Sequence, residues 1–311
     1  MVDRIGWQSA RWHNGRASIK LRIWRVAPRA DIRRVGLGRR ACALCAIFLL
    51  RGRIRIGRGW AGWTVRRFNR LERAGHWLLA LSCIVLALTG LNAAYGRHVL
   101  LPLLGADSFA DIGWWARWLH EKVAFAFMAA LAVTFLLWVR HSLPGWRDLV
   151  WLAKGGGLLA GAHPPAWKFN TGQKLLFWLV MVGGLALSLS GLALLFPHEA
   201  VTVAQTHAVA NALVVYLGLT PALPTEPSLQ QAVHDAALWH RTAALALLAA
   251  IIVHVYLRTL GIEGAFSAMA SGEVDANWAR QHHSLWAERE IGESEERAQA
   301  KPAPAPVAPA P

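Results

Sequence analysis

Four stretches of the chain are almost continuously apolar, at about residues 75–95, 115–139, 175–196 and 236–260, and polar or charged residues border each of them. At about 1.5 Å per residue, some 20 helical residues cross roughly 30 Å of hydrocarbon. The pattern therefore predicts an all-α integral membrane protein, a bundle of four transmembrane helices. A further apolar run, ACALCAIFLL at residues 41–50, is too short to span and lies between Arg40 and Arg51. With about forty residues before it and no clean cleavage site after it, it does not make a working signal peptide. Residues 200–219, AVTVAQTHAVANALVVYLGL, could suggest a fifth crossing. Gln205, Thr206, His207 and Asn211 interrupt them, and an odd number of crossings would put the C-terminal segment on the other side. An interfacial helix is the expectation. The final KPAPAPVAPAP has the Pro/Ala alternation of an extended tail that buries no core, so residues 293–311 are expected to be disordered.

Composition agrees with this pattern: 55% of residues are apolar and 16% charged, against about 25% charged in a soluble domain. The net charge of +15 would suggest a nucleic-acid partner, but residues 1–73 hold 19 of the 33 Lys and Arg and three of the 18 Asp and Glu. The rest of the chain is nearly neutral, which removes that class. Loop cations set orientation. Arg66, Arg67, Arg70 and Arg73 precede the first span, and Arg140, Arg147, Lys154, Lys168 and Lys174 follow the second. The long loop 197–239 has none, so both termini are expected in the cytoplasm. Three cysteines exclude a disulfide scaffold or a four-cysteine cluster within this chain. The Cys42/Cys45 CxxC lies inside the apolar decapeptide with no strand–helix pattern around it, and is read as having no redox or metal role.

Of thirteen histidines, four fall within the predicted spans: His76, His120, His240 and His254. Ionisable groups in a span are costly and usually face the bundle interior. His240 and His254 are 14 residues apart, about 40° short of four full turns, so they share a face at depths about 21 Å apart. With alternating helix directions, depth pairs His76 with His254 and His120 with His240. Two stacked b-type haems, each iron held between imidazoles from different helices, require this arrangement. Hydrogen bonding between helices would explain a lone membrane histidine, but it explains four at matched depths poorly. One zinc or copper ion could not be shared over such a distance. With both axial positions filled, such haems carry electrons and leave no position for dioxygen.

In WKFNTGQK, residues 167–174, Asn170 and Gln173 offer amide groups and Gly172 lets a ligand approach the backbone. This could be a quinone headgroup pocket or simply a helix cap before a span. His13, His98, His141, His163, His198, His207 and His234 are placed in loops or tails, and His282 and His283 on a solvated surface. Trp63, Trp77, Trp114, Trp115, Trp118, Trp146, Trp151 and Trp167 fit an aromatic belt. Arg73, Arg117, Arg241 and Arg258 lie close enough in sequence to the four histidines to reach haem propionates, although charged span borders explain them equally well.

The segments RRFNRLERAGHWLLALSCIVLALTG, WLHEKVAFAF, WKFNTGQKLLFW, ALWHRTAALALLAAIIVHVY and AMASGEVDANWARQHHSLW resemble the cytochrome b (gamma) subunit of membrane-bound respiratory formate dehydrogenase, over residues 66 to about 290. The resemblance implies a bacterial inner-membrane subunit whose partners are an iron–sulfur (beta) subunit and a molybdenum- or tungsten-dependent catalytic (alpha) subunit. His120 and His240 would hold the periplasmic-side haem, and His76 and His254 the cytoplasmic-side haem. Asn170, Gly172, Gln173 and His254 would border the quinone. Catalysis on formate would belong to the partner, while this chain passes electrons and contributes to quinone reduction.

The expected organisation is a basic extension 1–65, disordered or upstream of the functional start, then a di-haem domain 66–265. A cytoplasmic segment 266–292 and the tail 293–311 follow. The long third loop and the extension depart from the family pattern. A cytochrome b for a hydrogenase, thiosulfate reductase or other molybdoenzyme would use the same haem scaffold. A haem-free transporter or membrane anchor, its histidines lining a proton path, is the competing class.

Overall fold

The computed structural model describes residues 52–154, 164–197, 202–216, 220 and 227–299. Cys42, Cys45, His13, His163, His198 and residues 300–311 of the expected tail lie outside them, whereas residues 293–299, expected to be disordered, are helical. Strand β1 (Thr64–Arg66) precedes α1 (Arg70–Trp138), which a single 3-10 turn (Val139–His141) closes. Then come α2 (Trp146–Ala153), α3 (Thr171–Leu195), α4 (Thr202–Tyr216) and α5 (Leu229–Tyr256), the last ending in a π-helical turn, Leu257–Gly261. The chain finishes with α6 (Ser267–Ala270), β2 (Glu273–Asp275), α7 (Ala276–His282) and α8 (Ser284–Gln299).

Among the described residues, three helical stretches, Arg70–His141, Thr171–Leu195 and Leu229–Gly261, are long and apolar enough to cross a membrane. The first contains both of the expected spans 75–95 and 115–139. A straight helix would hold Glu72 and Trp138, 66 residues apart, about 100 Å from each other. The Trp138 indole instead donates to Glu72 Oε1 at 3.1 Å, so α1 is a helical hairpin. Its reversal lies at Gly105, whose φ of 79° and ψ of 174° no helix accepts and which a residue with a Cβ adopts only under strain. The helices outrun the apolar windows because backbone hydrogen bonds continue into polar flanks that hydropathy does not register.

The chain divides into two compact units, and α1, α3 and α5 contribute to both. Of the described residues, the first unit holds those within 77–133 and 179–252. Here the two arms of α1 pack with α3 and α5. A Cβ on Gly184 of α3 would stand 2.9 Å from both Leu131 methyls, so α3 approaches the second arm at a distance only glycine allows. Ala193 and Ala236 form a small buried contact between α3 and α5. The segment expected to be interfacial contains α4, and its His207 is only 1% exposed and 3.5 Å from Asp235.

The second unit comprises residues 47–76, 134–178 and 253–311. Strands β1 and β2 pair antiparallel, with Val65 opposite Val274, and Ile54 bridges to Ile262. An unattached extension running to residue 65 therefore does not describe residues 54–65, which pair with the C-terminal segment. Asn69 and Glu72 cap α1 reciprocally: Asn69 Oδ1 accepts the Glu72 N–H and Glu72 Oε2 accepts the Asn69 N–H, each at 2.9 Å. The other Glu72 oxygen accepts from Trp138 and, at 2.6 Å, from Lys168 Nζ. This carboxylate is 6% exposed and fully engaged.

Candidate functional site

Both histidine pairs expected from depth come together. In the first unit, His120 on the second arm of α1 faces His240 on α5, with ring centres 6.2 Å apart. In the second unit, His76 near the start of α1 faces His254 near the end of α5, with ring centres 6.5 Å apart. A metal held between two imidazoles needs about 2 Å of bond on each side plus about 1.1 Å from each nitrogen to its ring centre, a little over 6 Å in all. Both separations fit one metal between two rings, and both are too wide for a direct imidazole–imidazole hydrogen bond.

The hydrogen bonds of the first pair fix which nitrogen faces the gap. Thr89 Oγ1 donates to the Val85 carbonyl at 2.8 Å, and Ser190 Oγ donates to the Ala186 carbonyl at 2.6 Å. Each hydroxyl proton is thus committed to the helix backbone, so the oxygen accepts from the histidine. His120 Nδ1 lies 2.8 Å from Thr89 Oγ1 and His240 Nδ1 lies 3.1 Å from Ser190 Oγ. Both rings are therefore Nδ1–H tautomers whose Nε2 lone pair is available to a metal, as second-sphere partners of a ligating histidine arrange. A glycine follows each hydroxyl: a Cβ at Gly90 would lie 3.5 Å from His120 Cε1, and one at Gly191 would lie 3.4 Å from His240 Cε1. These residues fit a haem iron. Thr89 and Ser190 escaped the sequence reading, although a hydroxyl–glycine pair recurring in two apolar helices was a usable signal.

Around the second pair the surroundings are cationic and aromatic. The His76 ring lies 6.2 Å from that of Trp138. Arg258 sits one turn beyond His254 on the same helix and is close enough to act electrostatically on both histidines. Arg67 is 3% exposed, with its guanidinium over the Phe68, Trp278 and Trp286 rings at 5.0–5.4 Å. Its Nη2 donates to the Lys168 carbonyl at 2.6 Å and to His283 Nε2 at 2.9 Å. His283 Nδ1 then donates to the Trp167 carbonyl at 2.8 Å, which fixes a neutral ring. Burial, with the Arg67 charge next in importance, holds the His283 pKa well below the ordinary histidine value. Burial and the Arg258 charge likewise lower Arg67, partly offset by Glu72.

Several histidine placements differ from expectation. His283 is 1% exposed and His282 is also buried, because α7 and α8 fold back onto the aromatic cluster around Arg67, so neither is on a solvated surface. His98 and His234 lie within α1 and α5, not in loops. Three of the four flanking arginines have partners of their own. Arg73 donates to the Met269, Ala270 and Ser271 carbonyls, closing the end of α6. Arg117 pairs with Glu121 at 2.7 Å, and Arg241 Nε donates to the Ala237 carbonyl at 3.0 Å.

At the start of α3, Asn170 Oδ1 accepts the Gln173 N–H at 3.0 Å and Gln173 Oε1 accepts the Asn170 N–H at 3.1 Å. The amide oxygens are thus a capping box, which leaves the Nδ2 and Nε2 donors facing outward from it. A Cβ on the intervening Gly172 would stand 3.3 Å from Trp151 Cη2. Asp148 accepts from Thr171 at 2.8 Å and from Lys174 at 2.9 Å. Burial opposes its ionisation, but the bonds from Lys174, Gly145 and Thr171 prevail and hold its carboxyl below the ordinary aspartate range.

Residues 67–272 match the family model described as prokaryotic cytochrome b561. The chain is 27% identical over 233 residues to the cytochrome b556(Fdn) subunit of the nitrate-inducible formate dehydrogenase of Escherichia coli, covering 74% of this chain and 92% of the relative. It is 26% identical over 236 residues to the cytochrome b556(fdo) subunit of formate dehydrogenase from the same organism, covering 75% and 96%. The Haemophilus influenzae formate dehydrogenase cytochrome b556 subunit is 26% identical over 233 residues, covering 72% and 83%.

Proposed function

Because the chain belongs to the prokaryotic cytochrome b561 family, we propose that it is the di-haem cytochrome b subunit of a formate dehydrogenase complex. It passes electrons from an iron–sulfur partner subunit across a bacterial inner membrane to a quinone. The observation that carries this reading is the pair of imidazole–imidazole gaps of 6.2 and 6.5 Å, each of a width that suits one iron. Bound haem supplies a one-electron couple at each gap. His120 and His240 hold the periplasmic-side group, with Thr89 and Ser190 fixing the ring orientations. His76 and His254 hold the cytoplasmic-side group. The relatives are named as cytochrome b556 subunits of formate dehydrogenases, which supports a formate dehydrogenase complex as the setting; the proposed partners within it are an iron–sulfur subunit and a molybdenum- or tungsten-dependent catalytic subunit.

On this reading the α1 hairpin crosses twice, which with α3 and α5 makes four crossings and puts both ends on one side; the loop cations favour the cytoplasm for that side. The quinone reading rests on Asn170, Gly172, Gln173 and His254. With the amide oxygens of Asn170 and Gln173 engaged in the cap, their NH2 groups offer donors to a quinone carbonyl. The Trp151 ring packs against Gly172, so a headgroup would meet the outer side of that ring and the amide groups beside it. A reduced-minus-oxidised optical spectrum of the membrane-extracted chain, with haem counted per protein, tests the reading. Two b-type haems per chain are expected, and a chain without a b-type band defeats it. Co-purification with a formate-oxidising partner, and not with a hydrogenase or thiosulfate reductase, tests the choice of complex.

A further inference from the structure

Buried cations normally come with anions, because an uncompensated charge in a low-dielectric interior costs several kcal/mol. Around the second histidine pair this balance is not met by the chain. Glu72 is committed to Lys168, to Trp138 and to its own helix cap. Arg67 is 3% exposed, and its Nη1 is buried with no hydrogen-bond partner. Arg258, close enough for its charge to act on Arg67, makes no hydrogen bond or ion pair among the described residues. Among the described residues Glu72 is thus the one carboxylate shown acting on Arg67, and it is already paired with Lys168, so no carboxylate bonds to Arg67 or Arg258. The other arginines near the four histidines bond to carbonyls or to a glutamate.

We infer that Arg67 and Arg258 form a carboxylate-binding site beside His76 and His254, occupied by the two propionates of the haem those histidines hold. The inference rests on the di-haem reading and extends it to residues that neither the family match nor the relatives assign. A b-type haem carries two carboxylates, one for each of the two arginines. Guanidinium is the side chain suited to bidentate carboxylate recognition. Arg258 follows His254 by one helical turn and its charge acts on both His76 and His254, so it would be placed to answer an acidic group held between them. Lipid phosphate shares this chemistry, and the experiment separates the two.

Arg258→Gln is the first variant, since it breaks no hydrogen bond of the fold. Redox titration of both haems in the membrane-extracted chain is the readout. Removing a cation disfavours the added electron, so the haem at His76 and His254 is expected to become at least tenfold harder to reduce, a fall of about 59 mV for a one-electron couple. The haem at His120 and His240 keeps its potential. Arg258→Lys, which preserves charge without the bidentate fork, falls by less. Arg67→Gln is expected to move the same haem in the same direction, and a failure of that variant to fold leaves the Arg258 pair of variants to decide. Two haems whose potentials ignore Arg258 overturn this inference alone. Unchanged potentials with a lower phospholipid-to-protein ratio in Arg258→Gln overturn it in favour of a lipid phosphate. A wild-type chain without haem bands overturns the di-haem reading and this inference together.

Discussion

The two histidine pairs have nearly the same ring separation and quite different surroundings. In the first unit the imidazoles are backed by Thr89 and Ser190, neutral hydroxyls whose protons are tied to helix carbonyls. In the second unit the charge of Arg258 acts on both rings, the indole of Trp138 lies beside His76, and Arg67 is buried within reach of the Arg258 charge. One scaffold has therefore been given two electrostatic settings. A hydroxyl fixes a ring without changing the charge around the metal, whereas a guanidinium favours the reduced state. On the di-haem reading, the group held by the second pair would be the easier of the two to reduce.

The largest expected effect tests whether the pairs are separate sites at all. His240→Ala is expected to remove one haem and His254→Ala the other, each taking the haem-to-protein ratio from two to one. Optical spectra and redox titration check this, since the surviving component differs between the variants. Loss of both haems in either variant would merge the two sites and end the comparison.

Next in size is Glu72→Ala, which acts on the second unit only. It strands Lys168 Nζ and Trp138 Nε1 and removes half of the α1 capping box. Breaking a buried pair by removing one partner costs about 3–5 kcal/mol. Thermal unfolding in detergent should show the loss, and amide hydrogen exchange should place faster opening around residues 67–76 while residues 115–130 keep their protection. Uniform acceleration through both regions would mean that the two units open together.

The pairing of the four histidines was legible in the sequence because a span is a one-dimensional ruler, so residue number gives depth and the 3.6-residue period gives the face. Loop charge gave an expected orientation but no structure. Arg67, Arg73, Lys168 and Lys174 were counted alike, yet one anchors an aromatic cluster, one closes α6, and two pair with carboxylates. Nothing in local sequence reveals that His283 will meet Arg67, since 216 residues separate them. The strand pairing of residues 64–66 with 273–275 was invisible for the same reason: three-residue strands carry no periodic signal, and their partners are distant. The α1 arms matched two expected apolar stretches, but the tight turn at Gly105 was hidden because the residues leading into it, Val99 to Leu104, are themselves apolar and mark no boundary.

A smaller effect separates orientation from charge. Thr89→Val and Ser190→Ala remove the acceptors for the His120 and His240 Nδ1 protons, and loss of such an outer partner typically lowers metal affinity about 10- to 100-fold. The first unit's haem is expected to dissociate more readily, with little change in its potential. The second unit's haem should be untouched. Haem transfer to an external acceptor protein measures the rate, and redox titration supplies the control. A shift in potential as large as that expected for Arg258→Gln would mean that the hydroxyls tune the couple as well as orient it, and the contrast between the units would narrow.

The smallest effect concerns pH and belongs to the second unit through His283. Its folded pKa is lowered, chiefly by burial and then by Arg67, with Arg258 and His282 adding to the repulsion. A lowered folded value means that the neutral ring's contribution to stability is complete above the ordinary histidine value of about 6.5. It is lost progressively as pH falls from there towards the folded value, because the unfolded chain takes up the proton more readily. Wild-type protein should therefore melt lower at pH 5.5 than at pH 7.5. His283→Gln is neutral at both pH values and should lose less over the same interval, even though its melting point at pH 7.5 is already reduced. Equal losses in the two proteins would place the pH sensitivity elsewhere. A loss confined to wild type would show that the cationic setting beside His76 and His254 depends on a neutral imidazole to tolerate Arg67.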